Sequence, residues 1–417
     1  MPEKLKSRKL YNMIKYAFCE VPLYEKNKVD YSEILESRDI LDKICEIPVL
    51  EKDDAVINND KLLSHEAIPL FLSQKLHKET TSGSTGKCME VYWRKGDYQR
   101  SLLSLYVRRK MFYGINPGDK LCYFFSLRKF GYEEVHTERR PGQLGFCKSG
   151  LNEQRLKEIY TQMLEFQPKW ILGQPSVILL LAQIKQKFML PDLSSLLYIE
   201  LTGEMLFENI RKQIQDAFAC SIANHYGAME VNTIAYECPC GKLHLTDSTY
   251  TEIIDENGNP LPENEEGDVC ITTLENFAMP VIRYRVGDRG KIQSKVVCEC
   301  GQTAKVLKLT SGRINDYVIT REGNRINSYV FVRAVEAVNR GLEQAIKQFT
   351  VIQRGYEDFE VKLVLRDLDE RIMVEKIFLD NIFQKELKNA KFTFEFYNAL
   401  FPDNKGKLRY FERGAFK

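Results

Sequence analysis

Apolar residues recur at helical spacing in "NEQRLKEIYTQMLEF", where Leu156, Ile159, Tyr160 and Met163 fall on one face. Short apolar runs such as "LLYIEL" and "DVCITTL", each bounded by polar residues or glycine, predict strands. Helical and strand patterns alternate through roughly the first 300 residues, which predicts an α/β layer architecture. The C-terminal part has another texture. "FEVKLVL" sets Phe359, Val361, Leu363 and Leu365 on one face, and "FTFEF" does the same with Phe392, Phe394 and Phe396. Between them Val374, Ile377, Phe378 and Ile382 make a helical stripe, so a small α+β domain is predicted there. The junction falls in "LTSGRINDYVIT", Leu309 to Thr320, where Ser-Gly and Asn-Asp interrupt two apolar runs.

Length and charge narrow the classes. A chain of 417 residues accommodates two or three domains. Its 60 basic and 58 acidic residues leave a net charge of +2, so no global field draws it to nucleic acid or an anionic membrane. "MPEKLKSRKLYNMIKYAF" is charged and amphipathic where a signal peptide needs an unbroken apolar run. The most apolar segment, Trp170 to Ile184, is interrupted by Gly, Gln, Pro and Ser, and is shorter than the roughly 20 residues of a membrane helix. Eleven cysteines, an odd number, point to reduced thiols and a cytoplasmic location.

Two clusters carry candidate chemistry. In "TTSGSTGK", Gly83 and Gly86 let the backbone approach a ligand closely. Ser82, Ser84 and Thr85 can donate to phosphate oxygens, and Lys87 supplies charge. It is not a Walker A loop, because Thr81 stands where that motif requires glycine. On composition alone the stretch reads equally as an exposed turn. Further on, "ECPCGKLHL" and "VCECGQ" offer Cys238, Cys240, His244, Cys298 and Cys300 as a tetrahedral Zn²⁺ set. Unligated thiols at turns, or a redox pair, are the other readings.

Downstream of the glycine stretch come "NHYGAMEVN", "YRVGDRG", "TSGRIND" and "GKLR", in that order. Together they resemble the adenylate-forming superfamily, and within it the phenylacetate-CoA ligase-like family with its coenzyme F390 synthetase-like and capsule-associated members. The likeness runs over nearly the whole chain. It implies a large adenylate-forming core, residues 1–311, and a small mobile α+β lid, residues 312–417. It also implies that Thr81, Ser82, Gly83, Ser84, Thr85, Gly86 and Lys87 close over the phosphates of ATP. Gly203 and Glu204 in "LTGEM" match the segment lying along the adenine. Tyr226, beside Gly227, resembles the residue that stacks on adenine, Glu230 the Mg²⁺ carboxylate, and Asp288 the acceptor from the ribose hydroxyls. Arg313 matches a nucleotide-binding position and Asn315 or Asp316 the hinge.

Lys407, straight after a glycine and two residues before Arg409, matches the lysine that reaches the bond being made, with Lys405 as competitor. The resemblance favours Cys238, His244, Cys298 and Cys300 as a structural Zn²⁺ set, with Cys240 in reserve. Taken singly, Tyr226 also reads as core, Glu230 as a solvated helix residue, Asp288 as a turn former and Lys407 as a surface tail. Cys88 after Lys87, where proline is common, and Met229 before Glu230, where Ser or Thr is usual, depart from the family pattern.

The implied activity is ATP- and Mg²⁺-dependent conversion of a carboxylic acid to an acyl-adenylate, then thioester formation with CoA. The alternatives are transfer to an amine, a hydroxyl or a carrier protein, and a non-catalytic nucleotide-binding relative. Phe124, Phe125, Phe130 and Tyr132 suggest a flat or apolar acid, or else belong to the core.

Overall fold

The computed structural model describes residues 3–25, 32–36, 40–80, 89–130, 133–294, 296–311, 317–383, 387, 389–402 and 408–414. The chain forms two compact units, Met1–Pro117 with Ala223–Arg313, and Gly118–Ile222 with Ile314–Lys417.

In the first unit the helix Glu3–Glu20 buries Leu10, Met13, Ile14, Ala17 and Phe18, the amphipathic spacing expected of its sequence. They pack with Leu245, Ile271 and Tyr284 from an antiparallel run of strands. Its order is Thr249–Ile254, Gly267–Thr273, Tyr284–Gln293, Val306–Ser311, Leu243–Leu245, Ala235–Glu237 and Ser221–Tyr226. No helix interrupts these strands among the described residues, so the expected alternation of helix and strand ends well before residue 300. The reason lies in short turns such as Asp255–Asn259, where one aspartate accepts from the N–H groups of Asn257 and Asn259 and reverses the chain directly. A separate hairpin pairs His77–Thr80 with Glu90–Trp93, and Thr80 faces Glu90.

The second unit holds a mostly parallel set of strands in the order Thr137–Arg140, Gln143–Cys147, Leu121–Phe125, Trp170–Gly173 and Tyr198–Thr202. Helices Glu153–Phe166, Pro175–Lys187 and Glu208–Phe218 supply much of its core. Leu156, Ile159, Tyr160 and Met163 are the buried residues of the first of these, and Asn152 caps it by accepting from Arg155 N at 2.9 Å. The C-terminal part is α+β as expected. Lys391–Phe396, Asp358–Leu365, Ile346–Gln353 and Phe411–Arg413 form a mixed sheet in that order. Helices Tyr329–Gly341 and Arg371–Phe383 bury Phe331, Val335, Val374, Phe378 and Ile382 with it. Among the described residues no helix is long and apolar enough to cross a membrane.

Candidate functional site

The strand Ser221–Tyr226 ends at a tight turn, in which Ala228 O accepts from Val231 N at 3.1 Å and Asn232 N at 2.7 Å. Only glycine fits at 227, because a Cβ there would lie 2.0 Å from Asn232 O. Val231 and Ile234 anchor the turn in the core, and Glu230 is buried on it. Trp93, at the end of the hairpin that brackets the glycine stretch, donates its indole N–H to Met229 O at 3.3 Å. The stem of that stretch is thereby tied to the Glu230 turn. Tyr226 Oη donates to Asp288 Oδ2 at 2.8 Å, joining residues 62 positions apart. Tyr226 and Asp288 therefore meet in the first unit, which also holds Gly227 and Glu230.

Gly203 and Glu204 lie in the second unit. Gly203 has φ +82°, a left-handed turn that ends the strand Tyr198–Thr202. The Glu204 carboxylate then accepts from Ser176 N at 3.0 Å and Ser176 Oγ at 2.9 Å. This places an anion at the N-terminus of helix Pro175–Lys187, where free N–H groups and the helix dipole favour it. Glu204 and Met205 share a cavity wall with Ser176, Phe207, Leu408 and Tyr410. Leu408 is the immediate neighbour of Lys407 in sequence. Phe207 packs against Phe349 and Tyr410 at 5.9 and 6.1 Å between ring centroids, while Asn209 donates to Ile346 O at 3.1 Å.

The thiol cluster assembles in the first unit. The ligand atoms of Cys238, His244, Cys298 and Cys300 lie within 4.8 Å of one another. Cys238 and Cys298 sulfurs are 3.6 Å apart, and Cys300 Sγ is 3.4 Å from His244 Nε2. A tetrahedral zinc, with about 2.3 Å to sulfur and about 2.0 Å to nitrogen, needs an S–S separation of about 3.8 Å and an S–N separation of about 3.5 Å. These two separations fit within a few tenths of an ångström, and all four donors lie within 4.8 Å of one another. His244 Nδ1 donates to Ala304 O at 2.9 Å, which orients the ring with Nε2 toward the thiols, 3.4 Å from Cys300 Sγ. Burial raises the Cys238 thiol above its ordinary range, whereas the backbone N–H of Cys300 draws Cys298 down to about 6. Buried Arg108 holds the ligand strand by donating to His244 O at 3.1 Å and Leu245 O at 3.0 Å. Cys240 is exposed and stands outside the four-donor set.

Thr81, Ser82, Gly83, Ser84, Thr85, Gly86, Lys87, Arg313, Asn315, Asp316, Lys405 and Lys407 lie outside the described residues. Phe124 and Phe125 are buried, and Phe124 joins the apolar core of the second unit, so the core reading holds for both; Tyr132 and the Phe130 side chain are also outside the described set. Motif reasoning did not find Trp93, Arg108 or the part played by Ser176. None of the three carries a spacing in the sequence that singles it out.

Comparison with known proteins agrees with this arrangement. The AMP-binding enzyme family matches residues 79–278, and the CapK C-terminal domain matches residues 318–413. Protein CapK of Staphylococcus aureus is 24% identical over 413 residues, covering 93% of this chain and 85% of the relative. A phenylacetate-coenzyme A ligase of Thermus thermophilus is 25% identical, covering 92% of this chain and 85% of its own; one of Escherichia coli is 26% identical, covering 85% and 78%. Among solved structures, 2-hydroxyisobutyryl-CoA ligase in the postadenylation state has a TM-score of 0.77 at 18% identity, covering 98% of this chain and 89% of that one. This chain thus carries an AMP-binding enzyme match followed in tandem by a CapK C-terminal domain match, and over most of its length it is similar to the phenylacetate-coenzyme A ligases and to protein CapK.

Proposed function

We propose that the protein is an AMP-forming acid-CoA ligase acting in the cytoplasm. A carboxylate oxygen of a small acid attacks the α-phosphorus of ATP and pyrophosphate leaves. The thiol of CoA, losing its proton, then attacks the acyl carbon and AMP leaves. The supporting observation is the meeting of motifs distant in sequence: Trp93 bonds to the Glu230 turn, and Tyr226 bonds to Asp288. The phenylacetate-coenzyme A ligases and the 2-hydroxyisobutyryl-CoA ligase bound to acyl-AMP and CoA lend the reaction type.

In this reading Tyr226 covers the adenine face and Asp288 accepts from the ribose hydroxyls. Gly203 and the backbone after it border the base, while the Glu204 side chain anchors that segment rather than meeting the nucleotide. Thr81–Lys87 and Arg313 neutralise the phosphates, and Lys407 reaches the bond being made. Positioning and charge stabilisation carry both steps. Glu230 would hold Mg²⁺, which supplies countercharge for the triphosphate. Cys238, His244, Cys298 and Cys300 would hold a structural Zn²⁺; four protein ligands leave no open position for chemistry. The lid is assigned to residues 312–417, turning about Asn315 or Asp316. The C-terminal family match from residue 318 supports that boundary.

Acid-dependent pyrophosphate release from ATP and Mg²⁺, followed by hydroxylamine trapping with and without CoA, tests the proposal. Release that needs an acid, with thioester formed only when CoA is present, supports it. Trapped acyl-adenylate that CoA does not consume redirects the second step to an amine, a hydroxyl or a carrier protein. No release with any acid leaves the non-catalytic relative.

A further inference from the structure

The hydrogen bond from Tyr226 Oη to Asp288 Oδ2, 2.8 Å long, links a side chain assigned to the base with one assigned to the sugar. Both ends are held. Tyr226 pairs with Ala235 in the sheet, Tyr226 O accepts from Ile234 N at 2.9 Å, and its ring packs against the core of the first unit. Asp288 sits in the strand Tyr284–Gln293, where the register shifts at Arg289 and Gly290 and the ladder is locally irregular.

The cations on either side of Asp288 are engaged elsewhere. Arg285 Nε donates to Glu51 at 2.9 Å and its terminal nitrogen to Asp268, while Arg289 pairs with Glu266 at 3.4 Å and with Asp268 at 3.5 Å. The phenol thus donates to a half-buried carboxylate whose arginine neighbours hold other acids. A carboxylate offers about four lone-pair sites. Among the described residues the phenol takes one of them, on Oδ2, and Oδ1 remains for another donor.

We infer that the Tyr226 hydroxyl is a positioning group for sugar recognition. It holds Asp288 so that the second carboxylate oxygen faces the vicinal diol of a ribonucleoside 5′-phosphate, while the tyrosine ring lies against the base. Recognition of base and of sugar is therefore coupled through one bond, and a residue that does not touch the sugar governs the preference for ribose. The inference rests on the adenylating reading above and adds to it a source of sugar discrimination.

The test is calorimetric binding of AMP and of 2′-deoxyadenosine monophosphate, which needs no knowledge of the acid. Wild type, Tyr226→Phe, Asp288→Asn and the double variant are compared, with thermal unfolding as the check on folding. Wild type should prefer the ribonucleotide by about tenfold, the weight of a hydrogen bond to a charged group. Tyr226→Phe keeps the ring and should lose most of that preference. The double variant should lose no more than Asp288→Asn alone, because the two residues act as one unit.

A Tyr226→Phe protein that retains the wild-type ratio overturns the inference, as do single effects that multiply in the double variant. A wild-type ratio near one overturns it with no variant at all. Tight but sugar-blind nucleotide binding leaves the adenylating reading standing. Absence of any nucleotide binding by wild type removes that reading and this inference together.

Discussion

Replacing Glu204 by alanine removes the anion that holds the turn after Tyr198–Thr202 onto helix Pro175–Lys187. Two hydrogen bonds go, from Ser176 N at 3.0 Å and Ser176 Oγ at 2.9 Å. A bond to a charged acceptor contributes about 1.5 to 3 kcal/mol when well buried. The Glu204 side chain is only partly covered, so about 1 kcal/mol for each bond is the appropriate scale. An anion on a helix N-terminus adds about 0.5 kcal/mol. The sum is about 2.5 kcal/mol, and in a unit of about two hundred residues this lowers Tm by roughly 5 to 10 °C. Differential scanning calorimetry measures it directly. Ser176→Ala, which keeps the backbone donor, should lower Tm by about 2 to 4 °C, and the double variant should fall no further than Glu204→Ala. A Glu204→Ala protein melting within about 1 °C of wild type would refute the assignment of this carboxylate as a helix-capping anchor.

Other consequences are equally concrete. Elemental analysis of the native protein should give one zinc per chain; a metal-free active protein contradicts the thiol assignment. His244→Ala should abolish retention, whereas Cys240→Ser should leave the stoichiometry at one, since Cys240 stands outside the donor set. Arg108→Leu frees the carbonyls of His244 and Leu245 and should weaken zinc affinity by about tenfold or more in a chelator competition, the usual scale for groups that orient ligands. Gly227→Ala forces a Cβ against Asn232 O and should cost about 3 kcal/mol by denaturant unfolding, with nucleotide binding lost alongside as the Glu230 turn shifts.

The parts legible in the sequence are those whose physical signal is local. Leu156, Ile159, Tyr160 and Met163 could be read because a helix with one wet face leaves its period in the chain. The strands of the C-terminal sheet alternate for the same reason. Gly267–Thr273 is buried along its whole length, so it shows only an apolar run with no period, and its antiparallel partners could not be told from strands of an α/β sheet. The Cys-x-Cys pairs and His244 marked a candidate donor set in the sequence, and the family likeness already preferred the four residues that leave the exposed Cys240 out. Glu204 stands where a nucleotide segment was expected, yet its carboxylate goes to a helix N-terminus fixed by a residue 28 positions away. Trp93 and Arg108 reach their carbonyls across 136 positions, distances over which spacing in sequence carries no information.

The central claim is acyl-adenylate chemistry assisted by Lys407. Its most direct measurement is pyrophosphate release from ATP and Mg²⁺ over a panel of carboxylic acids, by wild type and by Lys407→Ala. Wild-type release should require an acid, and the variant should release at least about 100-fold more slowly, the scale for losing one charge-stabilising group. Transfer from preformed acyl-adenylate to CoA should persist in the variant. Pyrophosphate release that needs no acid, or that survives Lys407→Ala undiminished, would contradict the account.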